Sequence, residues 1–162
     1  MSAKVLVAGI GNIFLGDDGF GVEVVRKLTA MGFPDSIKIA DFGIRALDLA
    51  YSLTEEWELV ILVDLVQRGG PPGTLYVIEP DLNNSASPES LFDGHSLQPA
   101  TAIEMAKRLG GLRSRVLIVG CEPLVTGEDH LVGLSAPVNS AVDEALLKVR
   151  DLAMEAVSQA CS

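Results

Sequence analysis

The stretch GIGNIFLGDDGFGVEVV, residues 9–25, determines how the first part of the chain is interpreted. An apolar run ending in glycine predicts a buried strand over Lys4–Ala8, and apolar residues at helical spacing predict a helix reaching about Met31. Many proteins hold phosphate groups with such a strand, a glycine-rich loop and a helix. Here the loop carries two adjacent carboxylates, Asp17 and Asp18, where a phosphate would lie.

A nucleotide does not suit this loop. Gly9 and Gly11 begin a G-x-G-x-x-G pattern, but Phe14 stands where a third glycine would let helix and strand pack closely. The G-K-S/T sequence of a P-loop is also absent. Two like charges at about 4 Å repel by about 4 kcal/mol at an effective dielectric of about 20. The loop therefore favours a cation over an anion.

The composition indicates one globular domain spanning residues 1–162, with a hydrophobic content of 48%. The net charge of −10 disfavours nucleic acid and anionic membranes as partners. No apolar run reaches the roughly 20 residues that a transmembrane helix needs, and the N-terminus lacks a signal-peptide layout. Two cysteines without metal-type spacing suggest reduced thiols and a cytoplasmic location.

Alternating strand and helix patterns predict an α/β fold: a single-domain three-layer sandwich. Its sheet is twisted, mostly parallel and of about five strands, with helices on both faces. After the first strand and helix, the predicted strands are Ser36–Ala40, Glu58–Val63, Thr74–Ile78 and Val116–Val119. The other predicted helices are Ala46–Leu53, Leu97–Leu109 and Val138–Ala160.

Two further aspartates, Asp41 and Asp64, each follow a predicted strand. The carboxyl ends of parallel strands share one edge of the sheet, so these side chains are expected to converge there with Asp18. Capping offers a simpler explanation, because aspartates often accept hydrogen bonds from the first N–H groups of a helix or turn. Asp17 or Asp18 could likewise cap the first helix.

His95 precedes a predicted helix after a long polar loop and could fold over the same edge. Two carboxylates and one imidazole with open positions suit zinc, nickel or a similar ion better than magnesium. His130 is expected to be solvated. Cys121 ends the fifth predicted strand, where packing competes with a role as nucleophile, and Cys161 looks incidental.

Together these segments resemble the endopeptidases that mature nickel–iron hydrogenases. The resemblance spans nearly the whole chain. Its motifs are Gly9-Ile10-Gly11-Asn12, Gly16-Asp17-Asp18-Gly19-Phe20-Gly21-Val22, Asp41-Phe42-Gly43, Val63-Asp64, His95 and Gly133-Leu134-Ser135.

The resemblance implies a hydrolase that removes a C-terminal extension from the large-subunit precursor of a hydrogenase once nickel has been inserted. It implies metal contacts through Asp18, Asp64 and His95, which also form the catalytic site, and substrate recognition through Asp41. Nickel would arrive with the precursor, zinc or cadmium could replace it in vitro, and the enzyme is expected to be a monomer. Three routes for peptide cleavage stay open: a metal-polarised carbonyl, metal-activated water, or water activated by a carboxylate alone.

Two departures from the family pattern lie beside the expected substrate. Asp41-Phe42-Gly43-Ile44 replaces Asp-Gly-Gly-Thr, and Ser96 replaces a glutamine after the histidine. Two other functions compete with the endopeptidase. A nickel-sensing chaperone would recognise the precursor without cutting it, whereas a nucleotide-binding regulator is disfavoured by the acidic loop.

Overall fold

The computed structural model describes residues 4–82, 97–124 and 133–160. Its strands are β1 (Val5–Ile10), β2 (Ile37–Gly43), β3 (Leu59–Leu65), β4 (Leu75–Ile78) and β5 (Arg115–Cys121). Its helices are α1 (Phe20–Met31), α2 (Ala46–Leu53), α3 (Leu97–Leu109) and α4 (Ala136–Ala160). A short 3-10 turn over Gly16–Gly19 leads into α1.

The five strands form one sheet in the order β2-β1-β3-β5-β4. Neighbours are parallel except for β4, which runs antiparallel to β5 at the edge. The predicted fold class is therefore confirmed. The connection 66–74 from β3 to β4 is shorter than the dozen or more residues that a crossover to a parallel strand needs. β4 therefore runs antiparallel to β3 and to β5, which is parallel to β3.

Helices cover both faces of the sheet. α1 packs with α4, and α2 packs with α3. Alternate residues of β1 enter the two resulting cores, Val5 and Val7 on the α1 side and Leu6 and Ala8 on the α2 side. A strand that is buried on both faces is apolar along its length, which explains the apolar runs in the sequence from which these strands were predicted. Within the described ranges, no helix is long and apolar enough to span a membrane.

Four strands extend beyond their predicted ends, and in two of them the extension includes an aspartate of interest. β2 continues to Gly43 and β3 to Leu65, so Asp41 and Asp64 lie inside strands rather than after them. The backbone ladder continues where the apolar pattern stops: Asp41 is paired with Gly9 of β1, and Asp64 with Gly120 of β5. Both side chains still lie at the carboxyl end of the sheet, as expected.

Candidate active site

The candidate site lies where the strand order reverses. The chain leaves β1 toward β2 on one side, whereas β3 lies on the other side of β1. In open α/β sheets the loops that follow the strands diverge at such a point, and ligands usually bind there. Asp18 belongs to the loop that follows β1, and Asp64 is the penultimate residue of β3.

Asp64 is buried, with only 4% of its surface exposed. One of its oxygens, Oδ1, accepts the backbone N–H of Leu65 at 2.7 Å. Burial raises the pKa of this carboxyl well above its usual value, the Leu65 hydrogen bond opposes the rise, and the charge of Asp18 adds to it. A buried carboxyl without a cation favours its protonated form.

Asp18 is half-buried in the 3-10 turn, and its Oδ2 accepts the backbone N–H of Asn12 at 2.9 Å. Gly11 separates it from Asp64. A Cβ on Gly11 would collide with the carbonyl oxygen of Asp18 and lie 3.7 Å from Oδ1 of Asp64, and the φ of +138° also favours glycine. Gly11 therefore lets the loop approach the end of β3 closely enough for the two carboxylates to interact.

Asp17 does not cap α1, contrary to the sequence-based expectation. Neither the 3-10 turn nor α1 has a side-chain capping bond. Its carboxylate instead accepts the backbone N–H of Leu124 at 2.9 Å and both the N–H and the hydroxyl of Ser135, at 2.6 and 2.8 Å. Asp17 thus accepts hydrogen bonds from residues far along the chain instead of from its own helix. The local spacing of residues in the sequence could not predict these donors.

Asp41 lies on the neighbouring strand β2, and its side chain is exposed. The guanidinium of Arg45 donates to the carbonyl oxygens of Asp41 and Phe42, which fixes the backbone after the strand. Among the residues that the structure describes, no three His, Cys, Asp or Glu side chains are close enough to hold a metal. Asp41 is therefore not a third ligand beside Asp18 and Asp64.

The predicted imidazole ligand, His95, lies outside the described residues, as do His130 and Cys161. The described part of the site is thus a pair of carboxylates at the carboxyl end of the sheet. Asp18 is half-buried, whereas Asp64 is buried, and its burial disfavours the charged form of the carboxyl. A cation would offset both the burial of Asp64 and its repulsion by Asp18, whereas an anion would add to them.

Cys121 ends β5 and is fully buried. Burial, with smaller contributions from the charges of Asp17 and Glu122, raises the pKa of its thiol to about 12. A thiol is nucleophilic only when deprotonated, so Cys121 is a packing residue and not the nucleophile.

Glu122, which the sequence analysis did not single out, is only 2% exposed. Its Oε1 accepts the N–H groups of Arg68 and Gly70 and the hydroxyl of Tyr76, at 2.8–2.9 Å. The carboxylate thereby holds the β3–β4 connection against the end of β5. The available signal was a charged residue directly after an apolar strand, with the glycine-rich turn at 69–73 as its partner.

Fold and site together define an α/β protein with two neighbouring carboxylates, Asp18 and Asp64, where the strand order reverses. The model of the hydrogenase maturation protease family HycI matches residues 22–151. The chain belongs to the hydrogenase maturation protease family and is therefore a hydrolase of the endopeptidase class. The matched range includes Asp41, Asp64 and His95 and begins just after the acidic loop.

Individual relatives agree with this assignment. A protein of Methanocaldococcus jannaschii that is provisionally named a hydrogenase maturation protease is 35% identical over 144 residues, covering 88% of this chain and 91% of the relative. The crystal structure of a hydrogenase 2 maturation peptidase from a Thaumarchaeota archaeon is 32% identical, with a TM-score of 0.68 and coverage of 96% and 98%. The hydrogenase-maturating endopeptidase HybD of Escherichia coli is 26% identical, with a TM-score of 0.75 and coverage of 94% and 93%.

Proposed function

We propose that this protein removes the C-terminal extension of a nickel–iron hydrogenase large-subunit precursor after nickel insertion. In this proposal Asp18, Asp64 and His95 contact the nickel that the precursor carries and form the catalytic site, while Asp41 contributes to substrate recognition. The observation that carries the proposal is the pairing of buried Asp64 with Asp18 at the carboxyl end of the sheet, in a chain of this protease family.

The chemistry of the pair supports a metal that arrives with the substrate. Oxygen ligands and one imidazole, without a thiolate, bind nickel more weakly than mixed nitrogen and sulfur sites do. The raised pKa of Asp64 also opposes the charged form that a metal ligand needs, which further weakens binding of free metal. Tight contact would then require the additional ligands of the precursor, so metal binding would report that nickel is in place.

A protein substrate is supported by the surface beside the acidic loop. Ile13, Phe14 and Leu15 form the part of this loop that precedes Gly16, and their exposed fractions are 55%, 84% and 58%. Consecutive apolar side chains this exposed are typical of surfaces that contact another protein. Because the same loop holds Asp18, a polypeptide that covers these side chains would also reach the site.

The test is to incubate the purified protein with nickel-loaded large-subunit precursor and to measure the precursor mass over time. We expect a shortened large subunit. Asp18→Asn and Asp64→Asn should slow the cleavage by about 100-fold or more, since loss of groups that merely support a metal site already costs 10–100-fold. Asp64→Asn should remain folded, because an amide oxygen can still accept the Leu65 N–H without the cost of a buried charge.

Asp41→Asn is the matched variant, since it removes one carboxylate from the same edge of the sheet. We expect it to leave Ni²⁺ binding unchanged while it alters which precursors are cleaved. A precursor that binds tightly and stays full-length would instead support the nickel-sensing chaperone. Normal cleavage by both Asp18→Asn and Asp64→Asn would exclude the proposed site.

A further inference from the structure

One carboxylate connects three distant parts of the chain. Asp17 accepts hydrogen bonds from Leu124, which lies 107 residues later, and from Ser135, which lies 118 residues later. Leu124 follows β5 and Ser135 immediately precedes α4, so both flanks of the β5–α4 connection meet at Asp17. Of these contacts the two to Ser135 are the shortest, at 2.6 and 2.8 Å.

The anchoring partner is a rigid one. Ser135 is buried, and its carbonyl oxygen accepts the N–H of Asn139 at 2.8 Å, the first bond of the α4 helical ladder. α4 has 25 residues and packs on α1 and on the sheet. Asp17 is therefore fastened to the beginning of the longest helix, and the 3-10 turn that contains it cannot shift independently of that helix.

This attachment fixes the turn that brings Asp18 to the site. Asp18 follows Asp17 in the same turn, and Gly11 lies between them and β3, since a Cβ there would collide with the Asp18 carbonyl oxygen and lie 3.7 Å from Oδ1 of Asp64. A turn held only by its own backbone could rotate and carry Asp18 away from Asp64. The hydrogen bonds of Asp17 to Ser135 and Leu124 restrict this rotation. Supporting residues commonly hold the groups of a preorganised site in this way.

We propose that Asp17 is a positioning residue, which holds the Gly16–Gly19 turn against Ser135 and Leu124 so that Asp18 remains beside Asp64. The inference deepens the proposed function, on which its activity readout rests. Asp17 itself contacts neither the substrate nor its metal in this proposal. Its effect passes through the position of the Asp18 carboxylate.

The test uses three variants and one control in the full-length protein. Asp17→Asn keeps the shape of the side chain but places an amide NH₂ against N–H and O–H donors. Ser135→Ala removes one of the three bonds, and Ser135→Thr retains the hydroxyl. Asp143→Asn is the control, because it removes the same charge from an exposed site on α4 that pairs with Lys27.

The first readout needs no substrate. The backbone N–H of Asn12 donates to Asp18 Oδ2, so its NMR chemical shift and hydrogen exchange report the position of that carboxylate. We expect Asp17→Asn to shift this resonance and to speed its exchange about tenfold relative to the wild type. Ser135→Ala should give a smaller change in the same direction, whereas Ser135→Thr and Asp143→Asn should match the wild type.

The second readout is kinetic. Asp17→Asn should lower kcat for the nickel-loaded precursor about tenfold with KM nearly unchanged, the range found for groups that orient metal ligands. A variant with a lower melting temperature but an unchanged Asn12 resonance and unchanged kcat would show that Asp17 is only structural, and would overturn the proposal. If the wild type cleaves no precursor while the Asn12 response follows the expected order, the positioning role stands and the proposed function fails.

Discussion

Burial acts on two neighbouring residues of the site in the same direction. Asp64 lies in β3, and Cys121 is paired with Leu65, the next residue of that strand. Loss of solvent raises the pKa of both groups. The consequences differ, because a neutral carboxyl can still offer an oxygen to a cation that displaces its proton, whereas a neutral thiol is chemically inert.

The thiol assignment leads to a prediction. Cys121→Ala should retain full cleavage of the precursor and lose about 1 kcal/mol of stability, as expected for a small buried group. With a pKa of about 12, Cys121 should also resist iodoacetamide at pH 7 in the folded protein. Peptide mapping by mass spectrometry measures this. Rapid alkylation of Cys121 together with inactivation would show that the thiol is accessible and ionised.

For single residues, the sequence predicted that Asp18 and Asp64 lie at the same edge of the sheet. It did not predict that Asp17 and Glu122 hold the neighbouring loops in place. Asp18 and Asp64 were identifiable because strand ends of a parallel sheet converge on one edge, a rule that needs only the order of elements. Asp17 and Glu122 could not be assigned, because their partners lie between 46 and 118 residues away in sequence. Such contacts depend on how loops pack against one another, and residue spacing carries no information about that.

The junction between α1 and the sheet depends on glycine. A Cβ on Gly21 would collide with the carbonyl oxygens of Val63 and Ile10, and one on Gly9 would collide with Val25 and with the Gly21 carbonyl. The third glycine of the dinucleotide pattern is absent at position 14, yet Gly21 provides close packing of helix and strand seven residues later. The same physical requirement is met at a spacing that the nucleotide pattern does not describe.

Gly21→Ala should therefore destabilise the fold. Backbone carbonyl groups cannot move aside as flexible side chains do, and overpacking of this kind costs about 2–3 kcal/mol. Gly110→Ala is the control, since a Cβ there meets no atom within 4 Å, and it should change stability by less than about 0.5 kcal/mol. Urea denaturation followed by circular dichroism compares the two. Equal midpoints for both variants would contradict the close packing.

Most elements were predictable from periodicity because each has one clear pattern. α2 has the predicted ends, Ala46 and Leu53. The larger strand errors fall at the carboxyl ends of β1, β2, β3 and β5, which each continue for two or three residues past the predicted end. Backbone pairing with neighbours extends a strand there, and a single sequence does not show which neighbour a strand has.

The molecule as a whole is acidic, with 22 carboxylate side chains against 12 lysines and arginines. Most carboxylates lie on the surface, where their pairing contributes little to stability. Glu122 differs because it is buried and holds two chain segments together. Burial raises the pKa of this carboxyl, but hydrogen bonds from Arg68, Tyr76 and Gly70 outweigh it, so that the pKa is lowered overall.

This shift predicts how stability depends on pH. A carboxyl with a lowered pKa in the folded state stabilises the protein above its unfolded pKa, near 4.5, and loses this contribution as the pH falls through the folded value. At pH 7, Glu122→Gln should lower the free energy of unfolding by about 1–2 kcal/mol, the difference between charged and neutral acceptors. The gap between wild type and variant should narrow as the pH falls below about 4.5 and through the lower pKa of the folded state. Urea denaturation at several pH values measures it, and a gap that is independent of pH would contradict the assignment.

The attachment of Asp17 has a consequence for synthesis on the ribosome. Its two partners are translated 107 and 118 residues after it. At about 5–20 residues per second, Ser135 is added between about 6 and 24 s after Asp17. During that interval a nascent chain can pair β1 with β3, yet the turn that carries Asp18 lacks its fastening. The turn that carries Asp18 is therefore fastened only after β5 and the start of α4 have been synthesised.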